Sequence, residues 1–167
     1  MLGTRFQRML LGTDGTVTHI LEAYADEPIE VVKLLQEFDT SNDDDADLLL
    51  AGDKVLRRRV LLRGSRSRRP LLYAEAVIVV ERVEPAFLEG LLNTDKPIGV
   101  LLAENRTETF REILRAGREP AEGCGPILGI DASAEVFCRT YRVVARRQPM
   151  MMITERFHAD AFRELPT

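Results

Sequence analysis

Residues 135–157 read EVFCRTYRVVARRQPMMMITERF, and the order of residue types along them decides the fold class. Apolar and polar residues alternate on both sides of a polar break, RRQP at 146–149, which is the pattern of two strands joined by a turn. A hairpin of this kind makes its strands antiparallel. One residue breaks the alternation. Counting by twos along the second strand puts Met151, Ile153, Glu155 and Phe157 on one face, so a carboxylate points with three large apolar side chains toward the side that should be dry.

The same count applied upstream finds a second exception of opposite sign. KVLRRRVLLRG (54–64) and PLLYAEAVIVVER (70–82) are extended runs joined by the turn-forming GSRSRR, a second hairpin whose returning strand opens at Pro70, where a missing N–H is tolerated. Leu56, Arg58, Val60 and Leu62 share one face, and Arg57, Arg59, Leu61 and Arg63 share the other. Arg58 is therefore an arginine among aliphatics. An ion taken out of water alone carries a large desolvation cost, so Arg58 and Glu155 each need compensation. Two readings satisfy that need. Either the two pair with each other, or the register is one residue off; or both line an internal pocket for a small polar molecule, the arginine gripping an anionic group and the glutamate handling a proton. Burial raises a glutamate's pKa, and a neighbouring arginine pulls it back down.

Outward from these hairpins, residues 4–24 read as a short helix, a turn at Asp14-Gly15, and a second helix whose Val17, Ile20, Leu21 and Tyr24 recur at three and four, capped by Thr16 or Asp14. PIEVVKLLQEF (28–38) fits a helix and a strand about equally, with its β-branched content favouring a strand. EPAFLEGLLN (84–93) and KPIGVLLAEN (96–105) read as two short helices, and ETFREILRAGRE (108–119) is again ambiguous. Helices gathered between hairpins, with four to six strands, indicate an α+β fold with an antiparallel sheet.

The whole chain sets further bounds. Its 167 residues suit a single unit spanning 1–167, and 45% hydrophobic with 30% charged residues is the composition of a globular protein that folds as a monomer or a small homo-oligomer. Two cysteines, Cys124 and Cys138, give no disulfide framework and no zinc ligand set. With 23 basic and 27 acidic residues the net charge of -4 speaks against general attraction to nucleic acid or an anionic membrane, and no apolar run is long enough for a signal or a membrane span, so a cytoplasmic home is expected. GSRSRR lacks interleaved aromatic residues and reads as a solvated turn. Asp43, Asp44 and Asp45 lack the alternating spacing of a calcium loop and read as a solvated turn or helix cap. GCGPILG (123–129) misses the dinucleotide spacing and reads as a loop, His19 and His158 stand without ligand partners, and Met150 to Met152 suit core packing or a pocket lining.

RFQRMLLGTDGTVTHILEAY, RRVLLRG, LLYAEAVIV, LLNTDKPIGVLL, RTYRVV and PMMMITERF, in that order from about residue 5 to 160, together resemble the chorismate lyase (chorismate pyruvate-lyase) family, especially its shorter archaeal and actinobacterial-type branch. The resemblance implies a six-stranded antiparallel sheet with helices packed over it and an enclosed ligand pocket. It also implies a lyase that eliminates pyruvate from chorismate to give 4-hydroxybenzoate with no cofactor and no metal, so that chorismate and 4-hydroxybenzoate are the expected partners, without nucleic acid or membrane. The family's ring-carboxylate arginine matches Arg58, its active-site glutamate matches Glu155, and its backbone contacts fall near Val17 and Ile98. Two departures stand out: Arg59 occupies a place where the family often has an acid, and the acidic insert around Asp43 is unusual. A second cation for the enolpyruvyl carboxylate is expected among Lys96, Arg139 and Arg142. A non-catalytic binder of an aromatic carboxylate on the same scaffold is the alternative.

Overall fold

The structure, a computed structural model, describes residues 4–13, 16–48 and 53–162, without the side chains of 46–48. Six strands form one sheet: β1 (Ile29–Thr40), β2 (Lys54–Gly64), β3 (Pro70–Val79), β4 (Phe110–Pro120), β5 (Glu135–Ala145) and β6 (Gln148–His158). Their order is β1-β2-β3-β6-β5-β4, and every neighbouring pair is antiparallel. The sheet is thus two three-stranded meanders joined along β3 and β6. Between β5 and β6 the turn residues Arg146 and Arg147 have φ of 51° and 64°, the left-handed pair that a two-residue hairpin connection calls for.

Helices α1 (Arg5–Gly12), α2 (Val17–Ala25), α3 (Pro85–Asn93) and α4 (Ile98–Glu104) supply the apolar cover for one face. They divide it into two cores. Phe87 and Leu91 of α3 and Leu101 of α4 pack on Leu56, Ile78 and Met151, while Leu10 of α1 and Leu21 of α2 pack on Leu62, Leu72 and Phe157. Each such fully buried side chain contributes about 1.5–3 kcal/mol. Thr4 caps α1 in a reciprocal capping box with Gln7, whereas Thr16 stands at the N-cap of α2 without a side-chain bond. The expected Asp14-Gly15 turn and the alternative cap at Asp14 lie outside the described residues. On the opposite face GCGPILG is not the expected loop throughout, because Gly125–Leu128 form a one-turn helix, α5, with Pro126 in its first turn and Gly129 closing it at φ 71°. α5 covers Leu61, Tyr73 and Val136, so this face is not simply wet.

Both edge strands are bulged. Register shifts between Lys33 and Leu35 on β1 and between Ile113 and Arg115 on β4, so that Leu34 and Leu114 are each an extra residue. A bulge exchanges the two faces, and this explains why neither segment shows a clean two-residue period: Val31 and Lys33 face the helices before one bulge and Gln36 after it, and Arg111 and Ile113 before the other and Ala116 after it.

The expectation of six antiparallel strands with packed helices holds, but an enclosed pocket does not. The sheet is open, with β1 and β4 as free edges rather than closed on each other, and the cavity between sheet and helices keeps a mouth to solvent. Alternation tells which face is covered; whether the cover seals depends on helix lengths and crossing points that the period does not contain. The acidic insert also differs from a solvated turn at one residue, since Asp45 is buried and accepts both Arg57 Nη1 at 3.2 Å and Nη2 at 2.8 Å. The basic β2–β3 turn is drawn to acids: Arg63 and Arg68 pair with Glu30, and the Arg66 and Ser67 amides donate to Glu27. No helix among the described residues is long and apolar enough to cross a membrane.

Candidate active site

Strand register sets two rows across the helix-covered face. One runs Gln36, Arg58, Ala76, Ile153, Tyr141, Ile113 from β1 to β4; the next runs Lys33, Val60, Ala74, Glu155, Arg139, Ala116. The middle of both rows on β3 is alanine. Small side chains there leave a hollow of about 70 Å³ between the two apolar cores, floored by Ala74 and Ala76 and roofed by the starts of α2 and α4. Val17, Arg58, Ile98 and Glu155 all line it. Val17 and Ile98 are each the first residue of a helix, where the backbone N–H has no acceptor inside the helix. The two helix starts meet closely enough that a Cβ on Gly99 would lie 2.8 Å from Thr16 Cγ2.

Arg58 is 2% exposed. Its Nη1 donates to Gln36 Oε1 at 3.0 Å and its Nη2 to the Lys96 carbonyl at 3.3 Å, both neutral acceptors, and Gln36 is held in turn by donating to the Leu91 carbonyl at 3.1 Å. No carboxylate among the described residues lies at ion-pair distance from it. Burial lowers its affinity for the proton, with only a distant opposing influence from Asp95.

Glu155, 5% exposed, is in the opposite situation. Its Oε2 accepts from Arg139 Nε at 2.6 Å and its Oε1 from the Tyr141 hydroxyl at 2.9 Å, so both oxygens are oriented. Arg139 is 1% exposed, donates from Nη1 to the Thr13 carbonyl at 2.7 Å, and has no acceptor for Nη2 among the described residues. Burial, and then the Glu155 charge, push the Tyr141 phenol well above its ordinary value. Of the readings left open by the sequence, the one in which Arg58 and Glu155 pair with each other is therefore not what the structure shows. The glutamate has an arginine, but it comes from β5.

Of the three cations considered for a second carboxylate, Lys96 bonds Glu104 at the surface, Arg142 pairs with Glu112 on the other face of β5, and Arg139 is tied behind Glu155. Arg111 lines the cavity instead, its guanidinium 5.5 Å from the Tyr141 ring centre. Sequence reasoning missed Arg111 and Gln36 because both sit on bulged strands. Tyr141 was findable, since counting by twos from Arg139 puts Phe137, Tyr141 and Val143 on the same face. His19 is exposed on α2, and His158 at the end of β6 accepts from the Ala161 amide, away from the cavity. Among the described residues no group of three or more histidine, cysteine or acidic side chains could hold a metal ion.

The sequence profile of the family described as chorismate pyruvate-lyase Rv2949c-like matches residues 10–164. The chorismate pyruvate-lyase of Mycobacterium leprae is 30% identical over 161 residues, covering 95% of this chain and 77% of that protein. The chorismate pyruvate-lyase of Mycobacterium tuberculosis is 29% identical over 164 residues, covering 95% of this chain and 82% of that protein. Among solved structures, the effector domain of PhnF from Mycobacterium smegmatis matches with a TM-score of 0.68 at 15% identity, covering 87% of this chain and 90% of that one. At that identity the likeness is one of fold alone.

Proposed function

The chain belongs to the chorismate pyruvate-lyase Rv2949c-like family, and we propose that it removes pyruvate from chorismate to leave 4-hydroxybenzoate, with Arg58 holding the ring carboxylate and Glu155 serving the proton lost from C4. The observation that carries this reading is a buried guanidinium met, among the described residues, only by neutral oxygens, facing across two alanines a carboxylate whose orientation is held at both oxygens.

The elimination breaks the C3–O bond of the enolpyruvyl ether and the C–H bond at C4, and the electron pair of the latter completes the aromatic ring. The ether oxygen leaves with the three-carbon fragment, which takes up a proton at its methylene carbon to become pyruvate. Aromatisation drives the step, and it calls for no metal, redox partner or covalent nucleophile. The protein's part is to hold a flexible dianion in the reactive conformer and to support charge as it moves. A ring carboxylate on Arg58 gains charge-assisted, two-point hydrogen bonds that neutral acceptors do not equal. Backbone N–H groups at Val17 and Ile98 suit the remaining oxygens, and Glu155 is the group near C4 for accepting or guiding the proton.

The test is direct. Purified protein incubated with chorismate should release pyruvate and 4-hydroxybenzoate in equal amounts. Binding of 4-hydroxybenzoate without release of either product would instead favour a non-catalytic binder of aromatic carboxylates on the same scaffold.

A further inference from the structure

We propose that Gln36 is a positioning residue for the anion site: by meeting Arg58 with an amide in place of an acid, it keeps the guanidinium oriented and its charge open to a carboxylate ligand. The assignment rests on the ring-carboxylate role given to Arg58 above and not on turnover. Gln36 and Arg58 are directly opposed on β1 and β2. Gln36 is not among the residues that line the cavity, so it acts through the arginine.

The partners fix which way the amide points. Its Nε2 donates at 3.1 Å to the Leu91 carbonyl, which can only accept, and its Oε1 accepts at 3.0 Å from Arg58 Nη1, which can only donate. Leu91 lies in the last turn of α3, where main-chain oxygens have no partner inside the helix and the helix dipole is negative. A carboxylate at position 36 would set its oxygens against that end. The α3 terminus therefore selects a neutral group that both donates and accepts, and Arg58 receives no counter-charge from β1. Asp95, the acid whose charge reaches Arg58 from a distance, is held by Lys33 at 3.3 Å, and Lys33 Nζ also approaches the Leu91 carbonyl at 3.4 Å. Lys33 and Gln36 are three apart, and on a regular strand they would face opposite ways. The extra residue Leu34 turns both toward α3, so the β1 bulge ties the edge of the sheet to the anion site. Bonds to Gln36 and to the Lys96 carbonyl occupy one N–H on each Nη of Arg58, which leaves Nε and the second N–H of each Nη for a ligand.

Charge-selective binding is the test, with 4-hydroxybenzoate and its neutral isostere 4-hydroxybenzamide titrated by NMR against wild type, Gln36→Glu, Gln36→Met and Arg58→Met. Gln36→Glu sets a carboxylate against the guanidinium and should weaken 4-hydroxybenzoate about tenfold or more, while 4-hydroxybenzamide stays within roughly twofold of wild type. Gln36→Met, neutral and of similar length, should weaken the acid by only about threefold, so that the loss follows charge at position 36 rather than shape. Equal weakening of acid and amide by Gln36→Glu, an unaltered acid, or Gln36→Met as damaging as Gln36→Glu overturns the role of Gln36 alone, provided Arg58→Met still loses the acid. Binding of 4-hydroxybenzoate that survives Arg58→Met overturns that role together with the ring-carboxylate reading. Wild-type protein that shows the charge dependence but releases no pyruvate from chorismate upholds Gln36 and sinks the lyase reading.

Discussion

Arg58 and Arg139 occupy corresponding places in the two meanders, the middle strand of each, and both are buried under the helices. Their surroundings differ. Arg139 has a carboxylate at 2.6 Å and a main-chain oxygen at 2.7 Å, whereas Arg58 has an amide oxygen and a main-chain oxygen and, among the described residues, no acid. Burial of a charge therefore does not by itself mark a ligand site. The partner does. A guanidinium already neutralised serves to orient its glutamate, and one met only by dipoles is poised to receive an anion.

Four substitutions test that contrast, beginning with the reaction itself. Glu155→Gln keeps the shape and an acceptor for Tyr141, so turnover should fall on the order of 10²–10⁴-fold in a pyruvate-release assay while 4-hydroxybenzoate still binds. Wild-type turnover in this variant would remove Glu155 from the chemistry. Arg139→Met leaves a buried carboxylate without its counter-charge and should cost about 3–5 kcal/mol in urea unfolding. Arg58→Met strips out a charge that had no acid beside it, so stability should change by less than about 1 kcal/mol, yet 4-hydroxybenzoate should bind about tenfold to a hundredfold more weakly. Equal stability losses for the two methionine variants would erase the distinction between the arginines.

The smallest effect concerns pH. Tyr141 is held protonated in the fold by burial and by Glu155, so its folded pKa lies above the unfolded one. The stability it contributes is complete below the unfolded value of about 10 and is lost as pH rises beyond it. Tyr141→Phe should flatten the alkaline limb of a stability–pH curve. Part of the slope should remain, because Tyr73 on the other face is raised in the same direction by burial and its bond to Glu75. An unchanged alkaline limb would show that the phenol beside Glu155 is not held as described.

How far each part of the site could be read depends on strand regularity. On β2, β3, β5 and β6 the register shifts fall near the hairpin ends, at Leu62/Arg63 and Val143/Val144, so the alternation holds through the stretches that carry Arg58 and Glu155 and shows both as exceptions. On β1 and β4 one extra leucine apiece exchanges the faces partway along, which hid Gln36 behind Arg58 and Arg111 at the cavity mouth. Arg139 is by sequence one of three candidate cations for a second carboxylate, because nothing local to β5 says that Glu155 lies beside it. The open mouth was likewise beyond reach, as it depends on where short helices stop.

The amino-acid order alone determined the strand pairs of the two hairpins, the face each side chain takes and the presence of two ions on a face meant for hydrocarbon, because these follow from a period of two along neighbouring residues. Tertiary structure alone decided which ion was already answered. That depends on β6 lying between β3 and β5, which sets Glu155 beside Ala74 on one flank and Arg139 on the other. Such neighbours are brought together by the packing of distant segments, and no local period encodes them.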